Sequence, residues 1–199
     1  LIMNRKIYLV RHGKIDIGKE KCYIGVTDLT LSNEGITQAQ KLKKFFSNID
    51  IEKAYVSPLI RCIQTSDIIL ENRNVERTLM KELMEINLGG WEGKSFSYIK
   101  KFFPKQFKDR GENIDTFVTP GGESFEQLKK RVIPAFEAIK KNSTGNVLIV
   151  AHAGVNRVIL SSILSITIGD MFKINQHYGC VNEISWNDEY EKWQCKKII

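Results

Sequence analysis

Long apolar runs are missing from these 199 residues. The most apolar helical stretch, Val155 to Ile168, is broken by Asn156, Arg157, Ser161, Ser162, Ser165 and Thr167, whereas a membrane span needs about 18–20 apolar residues. No N-terminal stretch reads as a signal peptide, because the apolar Ile7–Val10 is short and runs straight into Arg11. Leu1 and Ile2 precede Met3, which leaves Met3 as an alternative start. Cysteine and histidine are scarce, at four and three, and no two cysteines stand in C-x-x-C spacing. A structural zinc site is therefore not expected. Four reduced thiols in a cytoplasmic protein are the simpler reading of Cys22, Cys62, Cys180 and Cys195. Repeats, low-complexity segments and linkers are absent too, which suits one domain over residues 1–199.

What the chain does have is positive charge, with 30 Lys and Arg against 23 Asp and Glu, a net of +7. An anionic partner follows. Nucleic acid is disfavoured, because the lysines are scattered and no basic stripe is interleaved with stacking aromatics. A small anionic substrate fits better.

The hydropathy pattern alternates strand and helix. Lys6–Arg11 reads as a buried strand, and Ser32 caps a helix through Phe46 with apolar spacing at Ile36, Ala39, Leu42, Phe45 and Phe46. Lys53–Ser57 is a second strand, and Ser57-Pro58 reads as the cap and first residue of a helix to about Leu70. Val75–Leu79 is a third strand, and the Gly-rich Glu85–Lys94 a loop. Ser97–Phe103 is a short helix that Pro104 stops; residues 105–119 carry no clear pattern. A helix from about Glu123 to Lys141 contains Pro134, which predicts a kink or a break. Val147–Ala151 reads as a central strand and Val155–Leu164 as a helix, and Val181–Trp186 with Tyr190–Lys196 as an antiparallel pair. Such alternation predicts an α/β three-layer sandwich, a mostly parallel central sheet with helices on both faces. Ligands in such folds sit at the carboxyl ends of the strands.

Four segments at those ends carry chemistry. Arg11-His12-Gly13 places a histidine and a guanidinium at a strand exit. Arg61 falls in the first turn of a helix, where the dipole disfavours a cation unless an anion compensates. Ala151-His152-Ala153-Gly154 repeats the strand-exit histidine beside small residues, and Glu85 lies in the intervening loop. Two histidines and two arginines at strand ends point to a shared anion pocket.

Taken in order, LVRHG (Leu9–Gly13), TLSNEG (Thr30–Gly35), VSPLIRCIQT (Val56–Thr65), MEINLGGWEGK (Met84–Lys94), PGGES (Pro120–Ser124) and VAHAG (Val150–Gly154) resemble the histidine phosphatase superfamily. The resemblance spans most of the chain. It implies His12 as the nucleophile that attacks phosphorus, with Arg11, Arg61 and His152 on the phosphoryl oxygens and Ala153 in the same cradle. It implies Glu85 as the acid for the leaving oxygen; Glu82 and Glu92 are the competing carboxylates, Glu82 lying ahead of the loop pattern and Glu92 reading as structural. No metal and no cofactor are implied. A small helical cap over the site is expected at roughly 92–122, rich in Phe96, Tyr98, Phe102, Phe103 and Phe107, which either stack on a base-like substrate or simply pack the cap. A monomer or homodimer is expected.

The chain departs from many relatives after the RHG motif: Lys14-Ile15-Asp16 follow, and a Trp-Asn pair is missing, so the phosphate contact attributed to that Asn is in doubt. Lys14 reads equally as a charge at the mouth or an exposed lysine, and His177 as peripheral. The short chain and the INLGGWEG and PGGES segments favour hydrolysis over phosphoglycerate mutase activity. The segments Cys22–Ser32 and Tyr178–Asn182 are similar to α-ribazole-5′-phosphate phosphatases of cobalamin synthesis; a broad-specificity phosphatase is the alternative.

Overall fold

The structure, a computed structural model, describes residues 5–199; the question of Leu1, Ile2 and Met3 lies outside the described residues. Six strands form one sheet: β1 (Lys6–Arg11), β2 (Lys53–Val56), β3 (Glu76–Leu79), β4 (Val147–Ala151), β5 (Val181–Asn187) and β6 (Lys192–Lys197). Their order is β3-β2-β4-β1-β5-β6. The first four run parallel, and β5 and β6 are antiparallel additions at one side. β4 (VLIVA) is buried along its whole length at the centre, whereas the edge strand β3 (ERTL) is exposed at every residue. The charged side chains of β3 guard an edge that would otherwise offer unpaired backbone to another chain.

The helices are α1 (Asn33–Phe46), α2 (Ile60–Ile69), α3 (Phe96–Phe102), α4 (Pro104–Glu112), α5 (Phe125–Lys141) and α6 (Ala153–Leu164). Alternating residues of each strand feed two cores. Ile7, Leu9, Val147 and Ile149 pack with Leu128, Val132 and Phe136 of α5 and Val155 and Ile159 of α6. Tyr8, Val10, Leu148 and Val150 face the other way, against Leu42 and Phe46 of α1 and Cys62 and Ile69 of α2. This is the three-layer α/β arrangement that the alternation predicts.

Register brings the chemistry together. Val10 lies opposite Val150 on β4 and Val181 on β5, and Val56 of β2 also opposes Val150. The residues that follow, Arg11-His12, Ser57 and His152, therefore leave the sheet side by side at its carboxyl edge.

Several local expectations change. Ser57 does not cap α2: Leu59 is the N-cap, without a side-chain bond, and the helix begins at Ile60. Asp28 Oδ1 accepts from Ile60 N–H instead (2.7 Å), so the cap comes from a distant loop that local sequence does not announce. Pro104 ends α3 but also opens α4 as its first residue, where its missing N–H is no loss. Part of the unassigned 105–119 is thus helical. Of the kink or break expected at Pro134, the break is not there: α5 runs from Phe125 to Lys141 behind a capping box of Ser124 and Gln127, with the exposed Pro134 inside it. Burial of Leu128, Val132, Ala135, Phe136 and Ile139 on the opposite face holds the helix through the lost hydrogen bond. α6 starts two residues early, at Ala153, with His152 as its N-cap. The Gly-rich loop contains a 3₁₀ turn at Gly89–Trp91 and is pinned by buried Leu83, Ile86, Leu88 and Trp91. No helix among the described residues is long and apolar enough to cross a membrane.

Candidate active site

A pocket of about 120 Å³ opens at the carboxyl edge of the sheet, lined by Arg11, His12, Ile15, Ile17, Cys22, Ile24, Arg61, Glu85 and Tyr178. The first turn beyond β1 builds one wall. His12 N–H is tied to Ala151 O (3.1 Å) and Gly13 N–H to Thr65 Oγ1 (3.1 Å). A Cβ on Gly13 would stand 2.4 Å from Gly35 O, so only glycine lets this turn close against the start of α1.

His12 is 4% exposed. Its Nδ1–H donates to Gly13 O (2.7 Å), and this partner sets the tautomer with the lone pair on Nε2. Burial, followed by the nearby Arg61 and Arg11 guanidinium groups, holds its pKa well below the usual histidine value. The imidazole is therefore neutral and nucleophilic.

Arg61 is 1% exposed. Its Nη1 donates to Thr27 O (2.7 Å) and its Nη2 to Gly25 O (2.6 Å). Arg11 donates through Nη1 to Gln176 O and lies 3.8 Å from the Tyr178 ring centroid, a cation–π contact. Both Nε atoms are buried without a partner, and among the described residues no carboxylate forms an ion pair with either guanidinium. A buried and a half-buried cation without a carboxylate partner are unfavourable by themselves and complementary to an anion between them.

Glu85 is 8% exposed and reaches from its loop to the start of α6, where Gly154 N–H donates to Oε2 (3.0 Å); Ile86 N–H donates to Oε1 (3.0 Å). Arg131 holds the backbone beneath it, donating to Met84 O (2.8 Å) and Glu85 O (3.1 Å) while paired with Glu123 (2.8 Å). A Cβ on Gly154 would stand 2.4 Å from Glu85 Oε1. Gly154→Ala is expected to push the carboxyl aside and lower kcat about 100-fold, the usual consequence of a misplacement near 1 Å. An unchanged kcat in a folded variant would mean that the carboxyl does not act from this position.

The pocket thus gathers Arg11, His12, Arg61 and Glu85. His152 is fully buried behind it, its ring edge-on to His12 at 5.1 Å and its Nε2 bonded to Ser57 Oγ (2.7 Å). Burial and then Arg61 hold its pKa well below the usual value, so it is neutral as well. Ala153 opens α6 and is not among the lining residues. Glu82 is exposed and away from the pocket; Glu92 accepts only backbone and Thr27 donors. Lys14 is an exposed partner of Glu34, and His177 is exposed beside Lys197. Tyr178, Ser57, Thr65 and Arg131 escaped the sequence reading. Tyr178, Ser57 and Thr65 stand in segments singled out by resemblance, whereas Arg131 carried no signal.

The family model described as the histidine phosphatase superfamily (branch 1) matches residues 7–198. The chain is a histidine phosphatase. Relatives of this phosphatase include the adenosylcobalamin/α-ribazole phosphatase of Salmonella typhimurium, 25% identical over 182 residues (90% of this chain, 89% of the relative). Phosphoserine phosphatase 1 of Hydrogenobacter thermophilus is 28% identical over 178 residues, 89% of this chain and 82% of the relative. The crystal structure of the α-ribazole phosphatase from Shigella flexneri superposes with a TM-score of 0.89 at 22% identity, covering 97% of this chain and 95% of that one, which shows the shared fold. The relatives named here are phosphatases of small phosphorylated molecules.

Proposed function

We propose that this phosphatase hydrolyses phosphomonoesters without metal, through a phosphohistidine on His12. The unpaired Arg11 and Arg61 around a neutral, pocket-lining His12 carry this reading. His12 Nε2 attacks phosphorus, the bond to the leaving oxygen breaks, and the Glu85 carboxyl gives that oxygen its proton. Water then attacks phosphorus, Glu85 takes back a proton, and the P–N bond breaks to release inorganic phosphate and restore His12. Charge disperses over the equatorial oxygens in both steps, and the two guanidinium groups are placed to stabilise it. His152 supports His12 and the phosphoryl group from behind, with Ala153 at the helix start completing the cradle. The chain works as one domain of a monomer or homodimer in the cytoplasm, with residues 92–122 as the cap.

The substrate we favour is α-ribazole-5′-phosphate, giving α-ribazole in cobalamin synthesis. Relatives named for α-ribazole and for phosphoserine both match. The mouth favours the former: beyond the cradle it offers Ile15, Ile17, Cys22, Ile24 and Tyr178 but no further cation. A carboxylate beside the phosphate would lack a counter-ion, whereas the flat apolar base of a nucleoside leaving group packs there. The test is a release assay in EDTA with α-ribazole-5′-phosphate, phosphoserine, 3-phosphoglycerate, sugar phosphates and nucleotide monophosphates. Undiminished activity selective for α-ribazole-5′-phosphate is expected. Uniform release would make the enzyme a broad-specificity phosphatase, phosphoryl exchange on 3-phosphoglycerate a mutase, and loss of activity in EDTA a metal enzyme.

A further inference from the structure

Glu92 is not among the residues that line the pocket, yet its carboxylate collects five donors. Oε1 accepts from Val26 N–H (2.9 Å) and Leu88 N–H (3.0 Å). Oε2 accepts from Gly25 N–H (3.0 Å), Thr27 N–H (3.4 Å) and Thr27 Oγ1–H (2.5 Å). The turn at residues 25–27 is wrapped around this carboxylate, with its N–H groups pointing inward. Its carbonyls consequently point outward, and those of Gly25 and Thr27 are the two that hold Arg61. The next residue, Asp28, accepts from Ile60 N–H at the start of the helix that carries Arg61. On its far side Glu92 is bonded to Leu88, three residues beyond Glu85.

We propose that Glu92 is a positioning residue for the reaction: through the 25–27 turn it fixes the Arg61 guanidinium, and through Leu88 it keeps that guanidinium in register with the loop bearing Glu85. An ionised carboxylate suits this because it only accepts, and all five partners donate. Glu92→Gln replaces one acceptor oxygen by an NH₂ that faces donors, so the turn must move and Arg61 with it. The inference rests on the proposed role of Arg61 in holding phosphoryl oxygens.

The test is inhibition by orthovanadate, which takes up the geometry of phosphorus under attack. Its inhibition constant is measured for wild type, Arg61→Lys, Glu92→Gln, the double variant and Thr27→Val, with thermal melts alongside. Glu92→Gln is expected to weaken vanadate about tenfold or more, the scale of one lost hydrogen bond to a charged group. The double variant is expected to be no weaker than Arg61→Lys alone, because the two act as one unit. Thr27→Val deletes one of the five bonds at nearly constant volume and is expected to weaken vanadate about threefold, near the low end for an ordinary hydrogen bond; it carries the test should Glu92→Gln not fold. A lower melting temperature with unchanged vanadate inhibition in Glu92→Gln and Thr27→Val, or fully additive losses, would reduce Glu92 to a fold-stabilising residue and overturn the inference. If Arg61→Lys itself leaves vanadate inhibition unchanged, the proposed phosphate cradle fails first.

Discussion

His12→Ala is expected to remove turnover altogether, a fall of about 10⁴-fold or more in kcat with any phosphomonoester. The one thiol on the pocket wall, Cys22, is engaged with Glu20 O (3.5 Å). His152 is spent on Ser57 and lies behind His12, and the Cys62 thiol, 3.5 Å from His152 Nε2, is buried, with burial pushing its pKa far up. A thiol that stays protonated neither attacks phosphorus nor replaces the imidazole. Arg11 and Arg61 are untouched, so vanadate or phosphate should still bind the variant. Binding without turnover separates loss of the nucleophile from collapse of the cradle. Residual turnover near the wild-type rate would eliminate the covalent mechanism.

The same geometry sets the acid behaviour. Attack needs neutral imidazole, and both histidines have folded-state pKa values well below the usual 6.5. The nucleophile thus stays competent as pH falls through 6.5, and the acid limb of kcat/KM due to His12 should lie below it. In the unfolded chain both imidazoles gain protons near pH 6.5 while the folded protein binds none. Stability is therefore complete above that pH and is lost as pH falls toward the depressed folded-state values. A melting temperature that stays level from pH 7.5 to 5 would contradict the burial of neutral rings.

Strand periodicity and the run VLIVA were enough to place the sheet, because each strand is a local apolar pattern packed on one or both faces. His12, Arg11, Arg61 and Glu85 were legible because they stand beside strand exits or in a Gly-marked loop, where α/β folds bind ligands. What local sequence does not carry is the partnership between distant segments. Asp28 caps a helix 32 residues away, Glu92 organises a turn 65–67 residues earlier, and Arg131 of α5 holds the backbone under Glu85. Ser57 looked like a helix cap by the same rule that correctly found Ser32, but tertiary pairing with His152 took its hydroxyl. Pro134 looked like a breaker because the rule counts the lost hydrogen bond and not the apolar face opposite it.

Glu85→Gln is expected to split the reaction by leaving group. An alkyl phosphate expels an alkoxide, a poor leaving group unless it is protonated as the bond breaks. Its kcat/KM should fall by about 10²–10⁴-fold, the usual worth of a positioned general acid. p-Nitrophenyl phosphate expels a weakly basic phenolate that needs little help, so its kcat/KM, which reports the first chemical step, should fall far less. The second step has no such escape, because water attacks the phosphohistidine in both cases and loses Glu85 as its base. The variant should therefore release about one equivalent of nitrophenolate per site in a burst and then turn over slowly, with phosphohistidine accumulating. Shape is kept, since glutamine can still accept from Gly154 N–H or Ile86 N–H, the two donors that hold the wild-type carboxylate. Equal losses in kcat/KM for both substrates, with no burst, would mean that the carboxylate merely shapes the pocket, and the proton would have to come from another group.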